Sequence, residues 1–172
     1  SNLAANTGSY VTGAVDVTIT DGITAAQLVT INALTSGEIT LNDTNDTLTD
    51  STADLVAAFT GTVTAYTGAI TINDANTTAI TAANLSTIGG ETSGVVTVTN
   101  AIAISGTQAE VTAALVTTDT LVVAGSATVT ISDANTTAIT AANLSAIGAK
   151  TSGAVTVTNA IAISGTQAEV TA

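Results

Sequence analysis

The sequence predicts a repeat solenoid, mainly parallel β with short capped helices, in about six units of ~28 residues. Three observations predict it. A five-letter word, TAANL at 81–85 and 140–144, returns as TAAQL at 24–28, STADL at 51–55, and TQAEV at 107–111 and 166–170. A four-letter alternating block recurs six times among those words. Residues 74–113 come back at 133–172, an offset of 59, differing only at Thr87/Ala146, Gly90/Ala149, Glu91/Lys150 and Val95/Ala154. The fifth letter of the word falls at Leu28, Leu55, Leu85, Val111, Leu144 and Val170, so its spacings run from 26 to 33 residues. That is the length of one solenoid turn. Residues 1–172 are accordingly expected to form a single array.

Each unit opens with a strand. The blocks are VTIT at 17–20, ITLN at 39–42, ITIN at 70–73, VTVT at 96–99, VTIS at 129–132 and VTVT at 155–158. Alternating β-branched apolar and small polar residues give the period of two that marks a half-buried strand. Thr18, Thr40, Thr71, Thr97, Thr130 and Thr156 are predicted to form one outward column, with the flanking Val, Ile and Leu facing inward. A crossover carrying a helix separates successive strands, so the six are expected to form one parallel sheet.

After each strand comes an Asx corner: Asp21, Asp43, Asp74, Asn100, Asp133 and Asn159. Such a side chain bonds its own backbone and turns the chain. A connector follows, and then the helix start. The word begins with Ser or Thr at residues 24, 51, 81, 107, 140 and 166, and its fourth letter is Gln27, Asp54, Asn84, Glu110, Asn143 or Glu169. This is the capping-box arrangement, in which Gln27 and Glu110 suit the return bond best and Asn84 and Asn143 are weaker versions. The capping role also accounts for the N-x-S sequences at Asn84 and Asn143 without glycosylation. The third letter is always Ala, which suggests a close contact there. Leu or Val at the fifth position and Ile31, Ala58, Ile88, Ala114 or Ile147 three residues later make a short buried stripe. Gly37, Gly68, Gly94 and Gly153 mark a tight entry to the next strand.

One geometric tension follows. Strands stack about 4.8 Å apart, whereas helix axes need roughly 8–10 Å. Either the rod curves, or the helices are Ala-thin, staggered or partly reduced to turns; two units carry extra apolar segments, VTAY at 63–66 and TLVVAG at 120–125, which hint at stagger.

Composition narrows the chemistry. Thirteen acidic residues face a single base, Lys150, for a net charge of −12. Such a chain has no basic footprint for nucleic acid and is repelled by anionic membranes. No apolar run reaches the length of a membrane span. Without His, Cys or Arg there is no Ser-His or Cys-His nucleophile system and no arginine clamp. Paired carboxylates could hydrolyse sugars, but that use also wants aromatic platforms, and the chain has only Tyr10, Phe59 and Tyr66. The expectation is therefore no enzyme. Lys150 lies in a Gly/Ser-rich turn where its repeat mate is Glu91, and reads as a solvated surface lysine.

The metal candidate is DTNDTLTD, where Asp43, Asn45, Asp46 and Asp50 offer several oxygen ligands to Ca²⁺. The D-x-N part recurs at Asp74/Asn76 and Asp133/Asn135. The alternative is an Asx turn in a solvated acidic loop, because the Gly and closing Glu of an EF-hand are absent. No other cofactor is expected.

Units such as SGAVTVTNAIAISGTQAEVTA and SDANTTAITAANLSAIG resemble the Thr/Ala/Val-rich tandem repeats of very large bacterial extracellular or cell-surface proteins, cyanobacterial ones especially. The resemblance covers nearly the whole chain. It implies a solenoid adhesin- or filament-like protein, outside the cell or at its surface, in a family of which some members bear calcium-binding repeats. No signal-peptide pattern is visible, so a leader is expected to have been removed or to lie upstream. Both ends look like interiors of the array, uncapped. The functional expectation is a filament subunit or a spacer in a long adhesin, self-associating head to tail or meeting a neighbouring surface protein. Partners are expected to exclude nucleic acid and membrane insertion. The alternative is a ligand- or ice-binding solenoid that uses the outward Thr column.

Overall fold

A computed structural model describes residues 13–42, 47–64, 66–118 and 120–171. All six alternating blocks are strands: β1 (Val17–Ile19), β2 (Ile39–Leu41), β4 (Ile70–Ile72), β6 (Val96–Val98), β9 (Thr128–Ile131) and β11 (Val155–Val157). All six words begin helices: α1 (Ala25–Asn32), α2 (Thr52–Phe59), α3 (Ala82–Gly90), α4 (Gln108–Leu115), α5 (Ala141–Gly148) and α6 (Gln167–Thr171). The protein is thus α/β, with parallel sheets and short helices.

The predicted connectors hold further strands. These are β3 (Leu48–Asp50), β5 (Ala79–Thr81), β7 (Ala103–Gly106), β8 (Val122–Val123), β10 (Ala138–Thr140) and β12 (Ala162–Ser164). Most run straight into a helix. Thr81 is both the last residue of β5 and the N-cap of α3, with φ −82° and ψ 144°. An N-cap residue needs extended backbone, as a strand does, so no loop has to separate the two.

The single parallel sheet expected from the blocks is not what forms. The strands divide into four parallel sheets, ordered β1-β2, β3-β4-β6-β8, β5-β7-β9-β11 and β10-β12. Val17 pairs with Ile39, Ile70 with Val96, and Val129 with Val155, so the six blocks stack as three pairs on three different sheets. The extra apolar segments are the cause. Val63 bridges Ile39, and Val122 pairs with Val96, each taking the rung beside a block strand. The next block is displaced one ladder along: β4 lies beside β3, and β9 beside β7. The outward threonines follow. Instead of one column of six, Thr49, Thr71 and Thr97 align on one ladder, and Thr81, Ser105, Thr130 and Thr156 on another.

The core is largely aliphatic and continuous, with Phe59 and Tyr66 also buried in it. Inward strand residues such as Ile39, Ile70, Ile72, Val96, Ile104 and Ile131 meet the helix stripes Leu28/Ile31, Leu55/Ala58, Leu85/Ile88 and Val111/Ala114, all buried in one cluster. Burying one such side chain contributes about 1.5–3 kcal/mol. The invariant third-letter alanines behave otherwise than expected: Ala26, Ala53, Ala83, Ala109, Ala142 and Ala168 are all exposed. The residue before them (Ala25, Thr52, Ala82, Ala141) is the buried one. Among the described residues, no helix is long and apolar enough to cross a membrane.

Candidate functional site

The side chains that do most in this molecule join one unit to the next. TSG occurs at 35–37, 92–94 and 151–153. Thr92 is buried, and its hydroxyl donates to the Gly68 carbonyl of the preceding unit at 2.6 Å while accepting the Gly94 N–H at 2.9 Å. Thr35 bonds the Val15 carbonyl and Gly37 N–H in the same way, and Thr151 bonds Ala127 and Gly153. The glycine has a steric reason. A Cβ on Gly94 would lie 2.3 Å from the Gly68 oxygen, on Gly153 2.1 Å from the Ala127 oxygen, and on Gly37 2.4 Å from the Val15 carbonyl. The tight strand entry foreseen at these glycines is thus a close approach between neighbouring backbones.

The Asx corners join units too. Asp74 Oδ2 accepts from the backbone N–H and the hydroxyl of Thr52, the first residue of α2, at 2.7 and 2.6 Å. Asp133 Oδ2 accepts from the Gln108 N–H, the first of α4, at 2.6 Å. Each corner therefore caps a helix in the unit before it, where the orphan N–H groups favour a carboxylate. Asn100 and Asn159 in turn donate to the carbonyls of Asp74 and Asp133, both at 2.7 Å. Asn76 and Asn135 accept from Ala101 N–H and Ala160 N–H at 2.9 and 3.1 Å. The D-x-N oxygens named as minor metal candidates are thus engaged in hydrogen bonds between units.

Of the main calcium candidate, Asp43, Asn45 and Asp46 lie outside the described residues. Asp50 ends β3, and its Oδ1 accepts the Ser51 N–H at 2.9 Å. Among the described residues, no three His, Cys, Asp or Glu side chains gather where they could hold a metal ion. Lys150 is exposed, as read. A crevice lined by Ile19, Ile23, Leu41, Leu48 and Tyr66 has room for about one water. Shallow grooves run between successive helices, one of them lined by Ala83, Ser86, Thr87, Glu110 and Ala113.

Among the described residues, the carboxylates with shifted acidity belong to helix caps. Glu110 accepts from the Thr107 N–H at 2.8 Å and from its hydroxyl at 3.0 Å, and the backbone bond, then the hydroxyl bond, lowers its pKa. Glu169 is lowered in the same way by Thr166.

Repeat mates differ in exposure between the two long copies. Ile104 is 1% exposed and Val111 0%, whereas their repeat mates Ile163 and Val170 are 52% and 60% exposed. Gly89 packs against Thr120, while its mate Gly148 faces open space. Ile104 is buried where β9 lies beside β7. No protein-family model matches the chain, and no curated protein or solved structure matches it either.

Proposed function

We propose that residues 1–172 form one solenoid array whose role is structural: a filament subunit, or a spacer in a long surface adhesin, that builds length by end-to-end stacking of strands. One observation carries this reading: the buried and half-buried hydroxyls and carboxylates join each unit to its neighbour, as Thr92 does to Gly68 and Asp74 does to Thr52. Much of the hydrogen-bonding side-chain chemistry is spent on joining units, through the TSG locks and Asx corners. A location outside the cell or at its surface, and a calcium role for Asp43, Asn45, Asp46 and Asp50, rest on the resemblance and on the acidic loop. An ice- or ligand-binding face would need one flat Thr column, and the six threonines are divided into three pairs.

Electron microscopy of the purified chain, with and without millimolar Ca²⁺, tests the reading. Six rungs at about 4.8 Å give an axial length of roughly 30 Å per chain. Fibres with that repeat mean a filament subunit, and discrete short rods mean a spacer. Isometric particles without an axial repeat overturn the proposal.

A further inference from the structure

We infer that the β8 edge of the sheet β3-β4-β6-β8 is a docking site for a strand of another protein, an extended basic segment whose alternate residues are apolar. The inference concerns the flank of the array and goes beyond the structural reading above without depending on it.

Among the described residues, seven large apolar side chains are exposed, and three of them lie on the adjacent strands β6 and β8 or at their entries: Val95 at 47%, Leu121 at 40% and Val123 at 54%. The register sets Thr97 beside Val123, and so Val95 beside Leu121. β4 continues the two rows with Ala69 and Thr71. The outward middle residues of the neighbouring strands, Thr49, Thr71 and Thr97, are all threonine.

The repeat shows that the fold does not require apolar residues here. Residues 61–65, GTVTA, precede 120–124, TLVVA, by the same offset of 59. Val63 bridges Ile39 as Val122 pairs with Val96. Ile39 N–H donates to the Thr62 carbonyl at 3.0 Å, as Val96 N–H does to the Leu121 carbonyl at 3.2 Å. In that mate the flanking residues are Thr62 and Thr64, whose hydroxyls donate to the Gly37 and Ile39 carbonyls. β8 puts hydrocarbon in both places. Val95 is one of the four positions at which the long copies differ, and its mate is the smaller Ala154. Three differences between mates thus gather apolar surface on one spot. Leu121 also holds φ 48°, a left-handed conformation that a leucine adopts at a cost.

The backbone says what covers such a patch. Because the Leu121 carbonyl faces β6, the parallel register turns the Val122 N–H and C=O to the opposite edge of β8. Among the described residues, no strand pairs there. The unit that follows is present and steps past it: Ser152 N–H donates to the Gly125 carbonyl at 2.8 Å, and β11 pairs with β9. An added strand satisfies these groups and seats every second side chain beside Leu121 and Val123. Charge then selects the strand. Thirteen acids against one lysine repel a second copy of this chain and attract a cationic segment. Glu91 ends α3 just before β6, where the mate of this unit carries Lys150.

Isothermal titration of the full chain with a synthetic peptide of alternating lysine and valine, at about 0.15 M salt, tests the edge together with amide exchange read by NMR. One-to-one binding and slowed exchange of the Val122 N–H are expected. Leu121→Asn combined with Val123→Thr should weaken binding roughly ten- to a hundred-fold. That variant should keep its fold, since Asn tolerates the left-handed backbone and Thr64 shows that threonine fits the place of Val123. Val29→Thr, at an exposed valine of α1, should change nothing. Absence of binding overturns the inference. Binding that survives the double variant and leaves Val122 unprotected also overturns it, as attraction to the acidic surface alone. Equal binding of a glutamate–valine peptide overturns the basic character of the partner. Self-association that the double variant abolishes makes a second copy the occupant and overturns the inference too.

Discussion

Gly94 and Gly90 sit four residues apart and answer to opposite constraints. A Cβ at Gly94 would enter the Gly68 backbone, whereas one at Gly90 meets nothing within 4 Å. Gly94→Ala is expected to cost at least about 1–3 kcal/mol by overpacking. Gly90→Ala, in the last turn of α3, is expected to gain about 0.4–1 kcal/mol by restricting the unfolded chain. Urea unfolding of both variants checks the pair, and the natural Ala149 at the mate of Gly90 points the same way. A second test lies at Thr77 and Thr136, with φ of 65° and 67°. A β-branched residue is strained there. Each is held by its N–H donating to the next unit, to Ala101 or Ala160, at 2.8 Å. Thr77→Asn should keep that bond, relax the backbone and raise stability by about 1 kcal/mol.

At the scale of the element, the helices show what a short sequence word can specify. Thr24 with Gln27 and Thr107 with Glu110 form complete capping boxes, while Thr81 and Thr140 accept from Asn84 and Asn143 N–H without the return bond. The shorter Asn side chain does not reach the cap backbone; Asn143 instead donates to Gln108 of the preceding helix at 3.2 Å. Thr107→Ala is expected to destabilise by about 1 kcal/mol. The Glu110 pKa is lowered in the folded state, so its contribution is present above the ordinary carboxylate range and is lost as pH falls through the folded value. Acid titration of Glu110 by NMR should therefore show its pKa rising toward the ordinary range in Thr107→Ala. Glu110→Gln should remove that step from the pH dependence of stability while the cap persists, as Gln27 caps at neutral charge. The helix words, their order of quality and the six block strands were legible because each is set by contacts within a few residues. The second strands were not, since Ala-Ile-Ser and Ala-Ile-Thr are too short to assert a period against the cap they run into.

For the whole molecule, the decisive event is the displacement of each new pair of block strands onto the next ladder. Thirteen acids and one lysine surround a largely aliphatic core, so self-repulsion opposes the compact state. Raising ionic strength from about 0.05 to 0.5 M is expected to raise the melting temperature as screening shortens from roughly 14 to 4 Å. Thermal melts of dilute protein at the two ionic strengths check this. Every unit leans on its neighbours, so the unfolding should remain one cooperative transition.

The sequence by itself determined the repeat, the alternation of strand and capped helix, the parallel pairing of neighbouring blocks and the inward residues. All of these follow from periodicity and from hydrogen bonds between residues close in the chain. Tertiary structure decided which copies share a ladder, because Val63 and Val122 claim rungs that the blocks would otherwise fill. It also decided that the Asx corners cap the preceding unit's helices and that the glycines make room for backbone. Above all it decided what covers each strand. Ile104 is core because β9 lies beside it, a relation between residues 25 apart in sequence that no local pattern contains.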